Sequence, residues 1–157
     1  MIHKELIRAA QIFKGLKSEA LDRILAHSLE IKAAANEVIL EESCRSADLF
    51  VILDGRVKIE IDAVDPESGR RRKMHLTTLR IGEAFGEIAF LQGERRSAHV
   101  RAIDNVQLLK INGENLNTLL QNDYQAGYQL MRNLALVLAQ RLEDINFMWR
   151  DNIRPIS

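Results

Sequence analysis

The chain has 157 residues, of which 46% are hydrophobic and 28% charged, as is usual for one globular domain and unlike a disordered chain. Its 22 basic residues balance its 22 acidic ones, so no overall positive field draws it to nucleic acid or to an anionic membrane. A lone cysteine, Cys44, excludes an internal disulfide, and neither a signal peptide nor a run of about 18 apolar residues is present, so we expect a cytoplasmic protein.

The first part of the single predicted domain, residues 1–30, is expected to form two short helices. Apolar side chains recur at helical spacing over residues 4–13 and again over 19–29. Ser18 stands where an N-cap side chain would accept a hydrogen bond from the second helix.

Residues 31–112 show the patterns of β-strands. The run "LFVIL" precedes Asp54-Gly55, and "VKIEID" then alternates with Val57, Ile59 and Ile61 on one face, which predicts a hairpin. The stretch "DPESGRRRK" is expected to be a loop, followed by strands at "MHLTTLRI", "AHVRAI" and "VQLLKI". This spacing predicts a mainly β fold with flanking helices, a double-stranded β-helix or jelly roll.

Residues 113–157 are expected to form a hinge, near 111–124, and a long C-terminal helix. The helix carries a heptad seam of apolar residues, namely Met131, Ala135, Leu138, Leu142, Ile145 and Trp149. Because "LALVLA" (134–139) is apolar on all sides, we expect a second subunit to cover it, giving a homodimer through residues 125–150. The alternative is a helix lying in a groove of its own monomer.

The stretch "FGEIAFLQGERRSAHVRA" (85–102) combines features of an anion site. Gly86 permits a positive φ, and "EIAFL" is long enough for a helical turn whose first N–H groups have no internal partner. Arg95 or Arg96 could add a charged guanidinium that donates two hydrogen bonds to one anion. The small residues Ser97 and Ala98 would let main-chain amides approach a phosphate. The alternative is a solvated turn between strands.

Glu87 makes the expected ligand of this site more specific. A carboxylate beside a phosphate would repel it, so Glu87 is expected to bind a neutral hydroxyl and to be balanced by arginine. The combination indicates a sugar phosphate.

The segment resembles the phosphate-binding cassette of cyclic-nucleotide-binding domains, the family of catabolite activator protein, protein kinase A regulatory subunits and nucleotide-gated channels. The family pattern F-G-E-[LI]-A-L, followed by R-[ST/A]-A, is matched over residues 85–89 and 96–98, with Phe90 in place of the pattern's leucine. The similarity extends to "IFKGLKSEAL" (12–21), to "LFVILDGRVKI" (49–59) and to the hinge and long C-terminal helix, so it covers essentially the whole chain. Ser43 departs from the family, which usually has glycine at that turn.

The resemblance implies a regulatory ligand, cAMP or cGMP, of which we favour cAMP. Arg96 would pair with the cyclic phosphate, and Glu87 would accept a hydrogen bond from the ribose 2'-OH. Asn146 would reach the purine edge, and Arg141 would approach the ribose and Glu87. The main-chain cradle would be completed by amides near Gly86, Ile88, Ala89, Ser97 and Ala98. The hydroxyl of Ser97 leaves guanine possible.

No catalytic or metal site is expected. The chain's histidines, which are His3, His27, His75 and His99, show no metal-ligand spacing, and His99 is expected at the surface of a strand. Cys44 and Ser97 lack a recognisable base partner. We therefore expect a sensor and not an enzyme.

The expected partners are a cyclic nucleotide, a second copy of the chain and an effector protein that the sequence does not identify. The sequence ends at "IRPIS", where the family's transcription factors would begin a winged helix-turn-helix, so direct DNA binding is not expected. The basic run "GRRRK" (69–73) is expected to be solvated surface. Two alternatives stay open: the sensor half of a truncated transcription regulator, and a dimerising interaction module whose pocket has decayed.

Overall fold

The structure is a computed structural model that describes residues 4–41, 46–93 and 98–152. The elements are, in chain order, α1 (Lys4–Ala9), a 3-10 helix (Gln11–Phe13), α2 (Ser18–Ala26), β1 (Ser28–Ala33), β2 (Val38–Leu40), β3 (Leu49–Asp54), β4 (Val57–Val64), β5 (Arg71–Leu79), β6 (Ala84–Phe85), α3 (Glu87–Gln92), β7 (His99–Ala102), β8 (Val106–Ile111), α4 (Gly113–Asn122) and α5 (Tyr124–Asn152).

The strands form two antiparallel four-stranded sheets, with orders β1-β8-β3-β6 and β2-β7-β4-β5. Apart from β4 and β5, no two strands that are consecutive in sequence are neighbours in a sheet, which is the crossing pattern of a β-roll. The predicted mainly β fold with flanking helices and a long C-terminal helix is confirmed. The hairpin predicted at Asp54-Gly55 was wrong: the turn joins β3 to β4, but β3 pairs with β6 and β8 in one sheet and β4 pairs with β5 and β7 in the other. Strand β3 is buried on both faces: Phe50 and Ile52 point into the roll, whereas Leu49, Val51 and Leu53 pack against the helices.

Three other local predictions were wrong. Ser18 is the first residue of α2 and Lys17 is its N-cap, without a side-chain cap hydrogen bond. Strand β1 already begins at Ser28, because its pairing with β8 extends to Ile111. The basic run is not all loop, since β5 begins at Arg71 opposite Val64. In each case pairing or packing extended an element past the boundary that local residue preferences indicate.

Helix α5 is fixed to the N-terminal segment at its beginning and is exposed at its end. The side chain of Asn133 is buried and donates to the carbonyl oxygens of Ile12, at 2.9 Å, and Lys14, at 2.7 Å. The apolar stripe that joins the core consists of Ala126, Leu130, Leu134 and Val137. Beyond residue 141 every α5 side chain that the structure describes is exposed. The proximal half is therefore part of the fold, and the distal half extends away from it.

The Gly113→Ala variant is expected to lose about 3 kcal/mol of unfolding free energy, near the upper end of overpacking costs. A Cβ on Gly113 would lie 2.1 Å from the carbonyl oxygen of Ala47, and backbone cannot move aside as a side chain can. Urea denaturation would measure the loss. Gly69→Ala is the control: its Cβ would meet nothing within 4 Å, and its φ of +68° should cost about 1 kcal/mol. Equal losses in both variants would contradict the prediction.

Glu60 is expected to make stability acid-sensitive. It is buried, and Arg101 Nε donates to its Oε1 at 2.8 Å. Burial raises the pKa of Glu60, but the Arg101 hydrogen bond and the charges of Lys58, Arg101 and Lys73 outweigh that effect and hold the pKa below its ordinary value of 4.5. The stability contributed by a carboxylate with a lowered pKa is present above the unfolded-state value and is lost as the pH falls through the folded-state value.

The measurement is a set of urea midpoints between about pH 6 and about pH 3. Glu60→Gln is expected to cost about 1 to 3 kcal/mol at neutral pH and to flatten the acid slope, because its amide does not titrate. Glu67→Gln, in the exposed β4–β5 turn, is the matched control. An unchanged slope in Glu60→Gln would show that other carboxylates cause the acid sensitivity.

Candidate functional site

The site is built on the short strand β6. One residue separates the end of β6 from α3, the helix predicted in the cassette. Phe85 of β6 lies opposite Phe50 of β3, and the two rings stack with centroids 5.0 Å apart and planes 2° from parallel. Both side chains are buried. This stacked pair holds the start of the cassette against the central strand of the roll.

Gly86 turns the chain from β6 into α3. Its φ of 90° lies in the left-handed region, which glycine adopts without steric cost, and it is the N-cap of α3. The amide groups of the first turn of a helix have no partners within that helix, so those of α3 are oriented toward whatever lies at its N-terminus. The positive φ that Gly86 permits is thus present in the structure.

Glu87 begins α3 as a buried acid, with 7% of its surface exposed. Its Oε1 accepts a hydrogen bond of 2.7 Å from Arg141 Nη1 of α5, and Arg141 Nη2 also donates to the carbonyl oxygen of Ala84. The guanidinium therefore neutralises the carboxylate and anchors it to the first residue of β6. This pair joins the cassette to α5 across 54 positions of sequence.

A cavity of about 70 Å³ lies at the N-terminus of α3. Five of the predicted site residues line it: Gly86, Glu87, Ile88, Ala89 and Ala98. Arg141 does not line the cavity but forms an ion pair with its lining residue Glu87. A polar wall of helix amides and a carboxylate thus faces an apolar wall, an arrangement suited to a small amphipathic ligand.

Of the other three predicted residues, only Asn146 belongs to the described part of the chain, and it does not line this cavity. Arg96 and Ser97 lie outside the described residues, as do Arg95 and the departure from the family pattern at Ser43. Asn146 is exposed on the distal part of α5. The binding roles assigned to all nine residues stay predictions.

The apolar wall was missed from sequence. It consists of Leu40 of β2, Ile59 of β4 and Val100 of β7. Alternation in "VKIEID" did indicate that Ile59 shares a face with Val57, but it could not show which cavity that face lines. The carbonyl of Ala84 was also missed, because a main-chain acceptor leaves no mark in the residue pattern.

The expectation that His99 is a surface histidine was wrong. It is buried, with 9% of its surface exposed, and its Nε2 lies 3.2 Å from Asp62 Oδ2. Strand alternation placed it on the outer face of the roll, but neighbouring strands cover it there. Among the described residues, no group of three or more His, Cys, Asp or Glu side chains is arranged to hold a metal ion.

Within the described ranges, no helix combines the length and the apolar character that crossing a bilayer requires.

A family model described as "Cyclic nucleotide-binding domain" matches residues 30–123, which include most of β1, all of β2 to β8, the cavity and α3. The chain belongs to the cyclic nucleotide-binding domain family. The match contains the cassette that the sequence motif indicates.

Two relatives extend the similarity of this cyclic nucleotide-binding domain. The cAMP-activated global transcriptional regulator Vfr of Pseudomonas aeruginosa is 31% identical over 123 residues, covering 76% of this chain and 55% of Vfr. The catabolite activator protein of Thermus thermophilus superposes with a TM-score of 0.70 at 25% identity, over 88% of this chain and 61% of that one. The chain spans 11% to 13% of two matching phosphodiesterases of Dictyostelium discoideum.

The fold is shared more widely than the sequence. A cyclic nucleotide-binding domain from Methylobacillus flagellatus superposes with a TM-score of 0.82 at 18% identity, over 99% of this chain and 86% of that one. At that identity the likeness concerns the fold, which includes the N-terminal helices and α5.

Proposed function

We propose that this cyclic nucleotide-binding domain is a cytoplasmic sensor of cAMP, which it binds at the cassette of residues 85–98. The observation that carries the proposal is the buried Glu87, held by Arg141 at the N-terminus of α3 beside a cavity. A buried carboxylate that is already neutralised can accept a hydrogen bond from a sugar hydroxyl without adding uncompensated charge. The family match and the cAMP activation named for Vfr support the same ligand class.

The charge of the ligand follows from the charges of the site. Glu87 and Arg141 cancel each other, which leaves Arg96 of the cassette to pair with the ligand. A cyclic phosphodiester has one negative charge, and one arginine can neutralise it. The cavity of about 70 Å³ is far smaller than a whole nucleotide, so the sugar phosphate would contact α3 while the base lies outward, toward Asn146 on α5.

Isothermal titration calorimetry with cAMP, cGMP and 5'-AMP tests the proposal. We expect cAMP to bind more tightly than cGMP and both to bind more tightly than 5'-AMP, whose second charge has no partner. A ligand at about 100 times its dissociation constant should also stabilise the fold by about 2.7 kcal/mol. Absence of both heat and thermal shift would favour the second candidate, an interaction module with a decayed pocket.

The proposed signal is a shift of α5. Arg141 joins the site to α5, and the distal half of that helix has no covering element among the described residues, so its position can follow ligand binding. Hydrogen exchange of α5 amides should slow with cAMP. The proximal half of α5, which the hydrogen bond of Asn133 fixes to the N-terminal segment, serves as the internal control. Equal exchange with and without ligand would refute the switch but not the binding.

The proposed assembly is a homodimer through α5. The exposed apolar residues Leu142, Ile145 and Trp149 belong to the predicted heptad seam, and between 49% and 62% of each is exposed. Sedimentation velocity of Leu142→Glu should show a monomer, because a buried glutamate would be unpaired at the seam. Leu29→Glu, on the edge strand β1, is the control. A dimer in both variants would exclude this seam as the interface.

A further inference from the structure

Strand β5 forms the free edge of the second sheet. In the order β2-β7-β4-β5 its only neighbour among the described strands is β4, and all residues from Arg71 to Thr77 are exposed. Along a free edge, half of the backbone N–H and C=O groups point away from the sheet without strand partners. The nucleotide site does not use this edge.

The edge carries a local excess of positive charge. Four basic residues, Arg70, Arg71, Arg72 and Lys73, are consecutive, and no acidic residue follows them before the end of β5. Of the nearest acids of β4, Glu60 pairs with Arg101 and Asp62 with His99, while Asp62 also lies opposite Lys73 in the register with β5. In the described part of the chain, the three arginines form no side-chain ion pair or hydrogen bond. This positive charge is local, because the net charge of the whole chain is zero.

Apolar side chains follow the basic run along the same strand. Met74 and Leu76 are 41% and 40% exposed, and Met74 lies opposite Ile61 in the register with β4. Residues alternate between the two faces of a strand, so a polypeptide lying along β5 would meet cations near the turn and apolar side chains farther along. Added strands gain affinity from main-chain hydrogen bonds and specificity from such alternating contacts.

We propose that β5 is a docking edge for an extended acidic segment of a partner protein. The segment would pair with β5 as a fifth strand of the sheet, with its carboxylates beside Arg71 and Lys73 on one face and an apolar residue beside Met74 on the other face, which Arg72 shares. A second copy of this strand would bring like charges together and is disfavoured. A nucleic acid could meet the cations but not the free main-chain groups, so an acidic polypeptide fits both features of the edge.

Fluorescence anisotropy with synthetic peptides tests the proposal. The probe is a labelled peptide of about eight residues, alternating glutamate and threonine with one central valine. It is compared with the same peptide carrying lysine for glutamate and with an N-methylated form that lacks backbone donors. We expect the acidic peptide alone to bind, and Arg71→Glu/Arg72→Glu to weaken it at least about tenfold by placing like charges together. Arg8→Glu/Lys17→Glu, on exposed N-terminal positions, should leave it unchanged.

Hydrogen exchange then locates the contact. Amides of residues 71–77 should exchange more slowly with the acidic peptide, and saturating cAMP should not change the peptide affinity, since the edge does not line the nucleotide cavity. The proposal is overturned if the acidic peptide does not bind, if the N-methylated peptide binds equally well, or if protection appears elsewhere. It is also overturned if double-stranded DNA displaces the peptide while binding more tightly. None of these outcomes bears on cAMP binding.

Discussion

The Arg96→Ala variant is expected to bind cAMP more than about a hundredfold more weakly than the unmodified chain, a loss on the order of 3 to 5 kcal/mol. A phosphate that leaves water for a protein site must be paired, or it retains the cost of desolvation. The other arginine of the site, Arg141, is already paired with Glu87. Calorimetry with cAMP would measure the loss directly.

Two neighbouring substitutions make the Arg96 result specific. Arg95→Ala removes the same charge one residue away and should change affinity by no more than a few fold, because we expect Arg95 to be solvated. Arg96→Lys keeps the charge but not the bidentate donor geometry of arginine. Its affinity for cAMP should therefore lie between that of Arg96→Ala and that of the unmodified chain. If Arg95→Ala causes the larger loss, the cassette alignment is wrong by one position.

Arg141→Met is expected to lower the unfolding free energy of the ligand-free protein by about 2 to 3 kcal/mol. The substitution leaves the carboxylate of Glu87 buried without its partner; the cost stays below the 3 to 5 kcal/mol typical of a fully buried pair because Arg141 is partly exposed. Urea denaturation would measure it. Arg132→Met is the matched control, since Arg132 is exposed on the same helix.

A double-mutant cycle separates the ion pair from lost packing. Glu87→Gln/Arg141→Met should be more stable than Arg141→Met alone, with a coupling energy of about 1 to 3 kcal/mol, because no buried charge remains unpaired. The double variant should still bind cAMP poorly. Additive losses would mean that the 2.7 Å contact contributes little to stability.

The strand predictions were correct where the spacing of apolar residues and the turn residues indicate the same strand boundaries. Strand β8 covers Val106–Ile111, the whole of "VQLLKI", and the turn at Asp54-Gly55 separates β3 from β4, although the two strands belong to different sheets and form no hairpin. The unbroken apolar run of β3 follows from its burial on both faces, and the alternation at the start of β4 follows from the packing of Val57 and Ile59 on one cluster, so both patterns are visible in sequence. The cassette could be found for a related reason: a left-handed N-cap needs glycine, and Gly86 has that conformation.

The errors occurred where contacts with residues distant in sequence determine the start of a strand or the burial of a side chain. The start of β5 at Arg71 depends on register with Val64, and the burial of His99 depends on its neighbours in the sheet. The exposed α5 seam shows the same limit. The heptad predicted its apolar face, whereas the stripe that packs on the core is a different one, through Leu130 and Leu134.

The amino-acid sequence by itself determined the class of fold, the positions of most strands, the glycine-acid start of the cassette and the family resemblance, because each depends on residues close together in the chain. The three-dimensional arrangement was needed to show that Arg141 of α5 neutralises Glu87, that Leu40, Ile59 and Val100 form the facing wall, and that β5 has one strand neighbour in the described part of the chain. These features depend on contacts between segments far apart in the chain, and residue order alone does not encode the distances between them.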